Sequence, residues 1–223
     1  MEPFVSHRGR VAVLDWTNVN TDLIIPARYL KRIERTGFGP LLFADKRYVA
    51  GGAPPIDNPD AKATLNADFP LNDSKYQGAT ILVVGRNFGC GSSREHAVWA
   101  VAQAGYRAVI APGKGEGFAD IFEGNAFNNG LLPIELSEED WQQIVDAERA
   151  PGGAEVTVDL RDQSVTLHSA GKADRRFAFD VPESDRDRLL KGLDAIAETL
   201  LNNEDAIRAH EQQAAAWLTP QPA

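Results

Sequence analysis

Cysteine is almost absent from this 223-residue sequence: Cys90 is the sole thiol. A single thiol excludes an intramolecular disulfide. It also excludes an iron–sulfur cluster held by this chain alone, because such clusters need several thiolates. The histidines (His7, His96, His168 and His210) are scattered, and neither HExxH nor CxxC occurs, so a zinc site is not indicated. No apolar run reaches the ~18 residues of a membrane span. The opening MEPFVSHRGR has no apolar signal core, and a cytoplasmic protein is expected. Positive charge is also in short supply. Lys and Arg number 23 against 32 Asp and Glu, a net charge of −9. That balance disfavours nucleic acid and anionic membranes as partners. It does not bear on a small anionic substrate, since a few local arginines can reverse the field within a cleft.

What is present is ordinary for a soluble domain, with 43% hydrophobic and 25% charged residues. Residues 10–16 (RVAVLDW) alternate like a half-buried strand. Residues 17–22 carry turn chemistry, and 28–39 read as a short helix or a mobile loop. Residues 51–72 are rich in Gly, Pro, Asn and Asp and form a surface connection. Next, 79–84 (ATILVV) read as a strand covered on both faces. A glycine turn (85–91), a helix over 92–104 and a strand over 107–111 complete a βαβ unit. A helix over 118–128, a strand over 131–136 and a helix capped by Ser137 follow. Residues 155–160 and 164–168 form a hairpin. Leu189, Leu193, Ile196 and Leu200 place an amphipathic helix over 185–201.

The chemistry concentrates in Arg86–His96 (RNFGCGSSREH). This run joins a buried strand to a helix N-terminus, where free amides and the helix dipole favour an anion. It is neither a Walker loop nor a dinucleotide fingerprint. Ser92-Ser93-Arg94-Glu95 fits a capping box, with Ser92 as cap. Arg94 would then lie in the first helical turn against the dipole, a placement that suggests a carboxylate ligand gripped bidentately. His96 and Cys90 have plain structural readings, as a packed ring and a small residue in a glycine turn.

The run GRNFGCGSSREHA resembles the swivelling-domain signature of the aconitase superfamily. Residues 18–26 (NVNTDLIIP) and 113–136 resemble further signatures of the isopropylmalate dehydratase small-subunit family, in the correct order over about residues 8–205. The resemblance implies an α/β fold, an aconitase-like swivelling β/β/α domain over 1–205 with a C-terminal helix, and a helical or flexible tail over 206–223. It implies a large partner subunit carrying a [4Fe-4S] cluster, with no cofactor in this chain, and interconversion of 2- and 3-isopropylmalate through isopropylmaleate in leucine biosynthesis. It implies roles for Ser92 as the alkoxide base, for Ser93 and Arg94 as ligands of a substrate carboxylate, and for Asp22 as the orienter of a histidine from the large subunit. Arg28, Leu30 and Ile33, in the 28–39 segment, are then specificity candidates, and that segment is expected to be mobile until the partner closes on it. The sequence has Asn20 where this family's run has Asp. Two other readings stay open: a homoaconitate or methylmalate dehydratase of the same superfamily, and a noncatalytic anion-binding module in which Ser92 only caps its helix.

Overall fold

The computed structural model describes residues 1–169 and 173–213. Its strands are β1 (Ser6–Leu14), β2 (Ile81–Val84), β3 (Ala108–Pro112), β4 (Leu132–Leu136), β5 (Ala154–Asp159), β6 (Ser164–Ser169) and β7 (Arg175–Ala178). They form one sheet in the order β4-β3-β2-β1-β5-β6-β7. The helices are α1 (Thr21–Ile24), α2 (Ala44–Arg47), α3 (Glu95–Gln103), α4 (Asp120–Asn128), α5 (Glu138–Arg149), α6 (Glu183–Lys191) and α7 (Ala195–Gln213). None is long and apolar enough to cross a membrane.

β1 joins two kinds of sheet. Its Val11–Leu14 half pairs in parallel with β2, while Ser6–Arg10 pair antiparallel with β5. Parallel neighbours need crossovers, and α3 and α4 supply them between β2 and β3 and between β3 and β4. Helices cover both faces of the parallel half, which is why β2 reads ILVV without alternation. Leu82, Val84 and Val109 pack on one face with Val98 and Val101 of α3. Ile81, Val83 and Ile110 pack on the other with Trp141 and Ile144 of α5. The buried Trp141 indole donates to the Val84 carbonyl at 2.9 Å, so its one polar atom is satisfied. Ser137 caps α5 by accepting from the Asp140 amide at 3.1 Å, as the sequence indicates.

Three elements differ from the sequence reading. The helix expected over 185–201 is broken, because Gly192 turns left-handed (φ 70°) and closes α6. Leu189 is fully buried, whereas Ile196 is 72% and Leu200 51% exposed. The apolar spacing is real, but its second half covers no core among the described residues. β7 was not anticipated, since its four residues bury only Phe177 and show no period. α3 begins at Glu95 rather than Ser92. Residues 214–223, the end of the expected tail, lie outside the described residues.

Burial separates α6 from α7 energetically. Leu189→Ala is expected to cost about 2–4 kcal/mol, and Ile196→Ala less than about 0.5 kcal/mol, read from urea denaturation midpoints.

Candidate functional site

Ligands of open α/β sheets bind beyond the carboxyl ends of the strands. Here the loops leaving β1, β2 and β3 are stitched together by backbone hydrogen bonds. The Asn18 amide donates to Arg86 (2.9 Å), Gly89 to Val19 (2.8 Å) and Thr21 to Cys90 (2.9 Å). On the other side Asn87 donates to Glu116 and Phe88 to Gly117, both at 2.9 Å. Asn18 and Asn87 are both left-handed, at φ 56° and 57°, a conformation asparagine tolerates better than most residues. The Asn87 side chain donates from Nδ2 to the Asn18 side-chain oxygen at 2.7 Å. Gly89 sits at φ 78°, and a Cβ there would lie 2.3 Å from Cγ of Phe122. Only glycine fits this crossing.

Against these loops lies a cavity of 200 Å³, lined by Thr21, Ser92, Ser93, Arg94 and the start of α4 at Ala119–Phe122. α4 has no side-chain cap. The first turn of the helix therefore brings its positive dipole end to the cavity, together with the Asp120 carboxylate, which offsets part of that charge. Arg94 is mostly buried and forms an ion pair with the half-exposed Asp22 of α1. Buried Thr21 donates its hydroxyl to the Ser92 carbonyl at 2.8 Å, fixing that backbone from below. The Ser92 and Ser93 side chains are exposed. Asn20 caps α1, its side-chain oxygen accepting from Leu23 at 2.8 Å. Asn and Asp cap equally well, so the departure at this position is absorbed locally. Asp22 is not the cap and is free to hold Arg94.

The capping box does not form. The Glu95 carboxylate accepts instead from Asn129 Nδ2 at 2.9 Å, and the Asn129 oxygen accepts from the Trp99 indole at 2.9 Å. Arg94 itself is the N-cap, extended at φ −142° and without a capping side-chain bond. It therefore precedes the helix rather than lying in the first turn. Among the described residues the Ser92 hydroxyl caps no helix. Cys90 is half-buried and its backbone bridges to Asn20. His96 is wedged between Phe38 (5.4 Å) and Trp99 (4.7 Å between ring centres), and burial holds its pKa below the ordinary value.

The structure brings Asp22, Ser92, Ser93 and Arg94 together. It does not bring Arg28, Leu30 or Ile33 to the cavity wall. Arg28 pairs with Asp45 at 2.6 Å and stacks over Tyr29. Leu30 packs against the core, and Ile33 is 94% exposed. The 28–39 segment is anchored rather than free. Tyr29 donates to the Pro54 carbonyl (2.9 Å), Arg32 to Ile56 (2.7 Å), and the Phe38 amide to Gln103 Oε1 (2.8 Å). Sequence reasoning missed Thr21 and the uncapped start of α4; the available signal was a helix beginning without any capping residue. Among the described residues no three His, Cys, Asp or Glu side chains gather to hold a metal.

Gly89→Ala is expected to destabilise the fold by about 1–3 kcal/mol or more, through positive φ and the Phe122 clash, measured by thermal unfolding. Protonation of His96 and of His7, whose pKa is likewise lowered by burial, opposes folding. Near the ordinary value of ~6.5 the unfolded chain takes up protons that the folded chain refuses, so stability falls as pH drops below that value. Calorimetric scans between about pH 7.5 and 5.5 should show a falling midpoint, with a shallower fall in His96→Gln.

Residues 1–139 match the aconitase C-terminal domain family. A 3-isopropylmalate dehydratase small subunit 2 from Bordetella pertussis is 47% identical over an alignment of 225 residues, covering 100% of this chain and 99% of that protein. A 3-isopropylmalate dehydratase small subunit from Teredinibacter turnerae is 47% identical over 220 residues, 98% of this chain and 97% of that protein. The crystal structure of a 3-isopropylmalate dehydratase from Methanocaldococcus jannaschii superposes with a TM-score of 0.59 at 25% identity, covering 93% of this chain and 99% of that one.

Proposed function

The chain belongs to the 3-isopropylmalate dehydratase small-subunit family of aconitase-type hydro-lyases, and we propose that it supplies the base and the carboxylate clamp of a site completed by the large subunit. The observation that carries this reading is the Ser92 hydroxyl, exposed on the cavity wall beside Arg94, with no helix to cap. The reaction is the interconversion of 2- and 3-isopropylmalate through isopropylmaleate, a step of leucine biosynthesis, and a cytoplasmic setting accords with it.

The roles are those the family resemblance implies, and the geometry is compatible with them. Arg94 grips a substrate carboxylate in a fork, with the Ser93 hydroxyl and the amides opening α4 as further donors. The Arg94 guanidinium and the amides opening α4 would lower the cost of an alkoxide at Ser92 Oγ, against the opposing charge of Asp22 and Asp120. That oxygen takes the proton from the carbon beside the carboxylate, the C–H pair becomes the new double bond, and hydroxide leaves the adjacent carbon. Rehydration runs the steps backwards with hydroxyl and proton exchanged, and Ser92 returns the proton. Asp22 holds the Arg94 guanidinium and orients a histidine of the large subunit. One thiol cannot hold an iron–sulfur cluster, and the family resemblance assigns the [4Fe-4S] cluster to the large subunit. Within the 28–39 segment, exposed Ile33 is the side chain available to meet an isopropyl group once the subunits close, while Leu30 and Arg28 support that wall from behind. The sheet and the site fall within 1–205, the functional body, with 206–223 as an appended tail.

Mixed with its large subunit and an anaerobically rebuilt cluster, the chain should form isopropylmaleate, followed by ultraviolet absorbance. Neither subunit alone should do so. Ser92→Ala should lower kcat by about 10²–10⁴ with assembly intact and a melting midpoint unchanged, because no cap is lost. Unaltered turnover in Ser92→Ala would leave only the anion-binding reading. Turnover of homoaconitate or methylmalate in place of isopropylmalate would reassign the substrate.

A further inference from the structure

The stretch that carries Ser92 has two competing ways to start its helix. Its own residues favour a start at Ser93, with Ser92 as cap and the Glu95 carboxylate reaching back to the Ser92 amide. The structure takes the other course. Arg94 is extended at φ −142°, and the first turn of α3 closes with the Ala97 amide on the Arg94 carbonyl at 3.1 Å. This late start keeps Arg94 beside Asp22 and leaves the Ser92 hydroxyl off the helix end. A capping box would draw Ser93 and Arg94 into helical conformation, set the Glu95 amide on the Ser92 oxygen and swing Arg94 away from Asp22.

Asn129, at the end of α4, decides between the two. Its Nδ2 donates to Oε1 of Glu95 at 2.9 Å and to the Asn125 carbonyl at 2.8 Å. Its Oδ1 accepts from the Trp99 indole at 2.9 Å. The indole can only donate, so the carboxamide has one orientation, with Nδ2 turned to Glu95. Glu95 and Trp99 lie four residues apart on one face of α3, and a single side chain spans both. The clamp is rigid at each end. Trp99 packs against Phe38 at 5.5 Å and His96 at 4.7 Å between ring centres. The Asn129 backbone amide donates to the Asn125 and Ala126 carbonyls. Closing α4 needs only the bonds to the carbonyls of that helix; the bonds to Glu95 and Trp99 go beyond that need.

We infer that Asn129 is a positioning residue for the dehydratase reaction: by holding the Glu95 carboxylate it keeps Ser92 uncapped and Arg94 at Asp22. Asn129 is not part of the cavity wall and acts through Glu95 on the base and the carboxylate clamp. The inference rests on the roles proposed above for Ser92 and Arg94.

The test is a donor–acceptor exchange in the complex with the large subunit, its cluster rebuilt, with isopropylmaleate followed by ultraviolet absorbance. Asn129→Asp keeps the shape of the side chain and the bond from Trp99, but sets two carboxylates face to face and expels Glu95. Its kcat should fall about tenfold or more, the scale of a lost hydrogen bond to a charged group, and its KM should rise as Arg94 leaves Asp22. Adding Glu95→Gln to Asn129→Asp restores a donor facing an acceptor, and both constants should move back towards the parent values. The Nδ2 bond to Asn125 is missing from both variants, so its loss cancels in the comparison. A simple loss of folded protein lowers the active fraction, and so the apparent kcat, without moving KM. Parent-like constants in Asn129→Asp, a fall in kcat with KM unmoved, or no recovery in the exchanged pair would each overturn the inference. Ser92→Ala, measured alongside, separates this failure from that of the reading beneath it. An active Ser92→Ala complex removes the base and this inference with it, whereas an inactive one beside a parent-like Asn129→Asp overturns this inference alone.

Discussion

Registration of three parallel strands is the constraint from which the site follows. Val11, Ile81 and Ala108 stand level across β1, β2 and β3, and every residue of β2 is buried. A one-residue slip would turn each of these side chains onto the wrong face. The loops beyond the strand ends inherit that fixed register and continue it as a short ladder of amide bonds. Ser92 is thus placed by the core and by the Thr21 hydroxyl beneath it, not by contacts of its own side chain.

Charge is organised on a smaller scale than the molecule. The chain is strongly acidic, and the cavity beside Ser92 sets a guanidinium and a helix N-terminus against the Asp120 carboxylate in its wall. Because Arg94 is largely buried, its field is screened less than that of a surface arginine. Asp22 meets that charge from the solvent side. The pair keeps the guanidinium aimed without leaving a bare buried cation, while most ion pairs on the surface contribute little.

The sequence announced those parts of the fold whose signals are local. The apolar run of β2, the Ser137 cap and the hairpin of β5 and β6 each rest on residues adjacent in the chain. What was not legible depends on distant partners. Ser92 and Glu95 have the spacing of a capping box, but Asn129, from the far end of α4, claims the Glu95 carboxylate. Ile196 and Leu200 have the spacing of a core stripe, but Gly192 ends the helix that docks. The cluster of Asp22, Ser92, Ser93 and Arg94 was reached through family resemblance, and the uncapped opening of α4 beside it was not. Arg28 was read as a site residue because loop arginines near a diacid are plausible ligands; Asp45, seventeen positions on, already holds it.

The exposure of the Ser92 side chain has a bearing on how this position can vary. Its backbone carbonyl is held by the Thr21 hydroxyl, while the side chain itself points away from the packed interior. The course of the loop is therefore independent of which small side chain stands at position 92, and chemistry there can change without the scaffold having to follow.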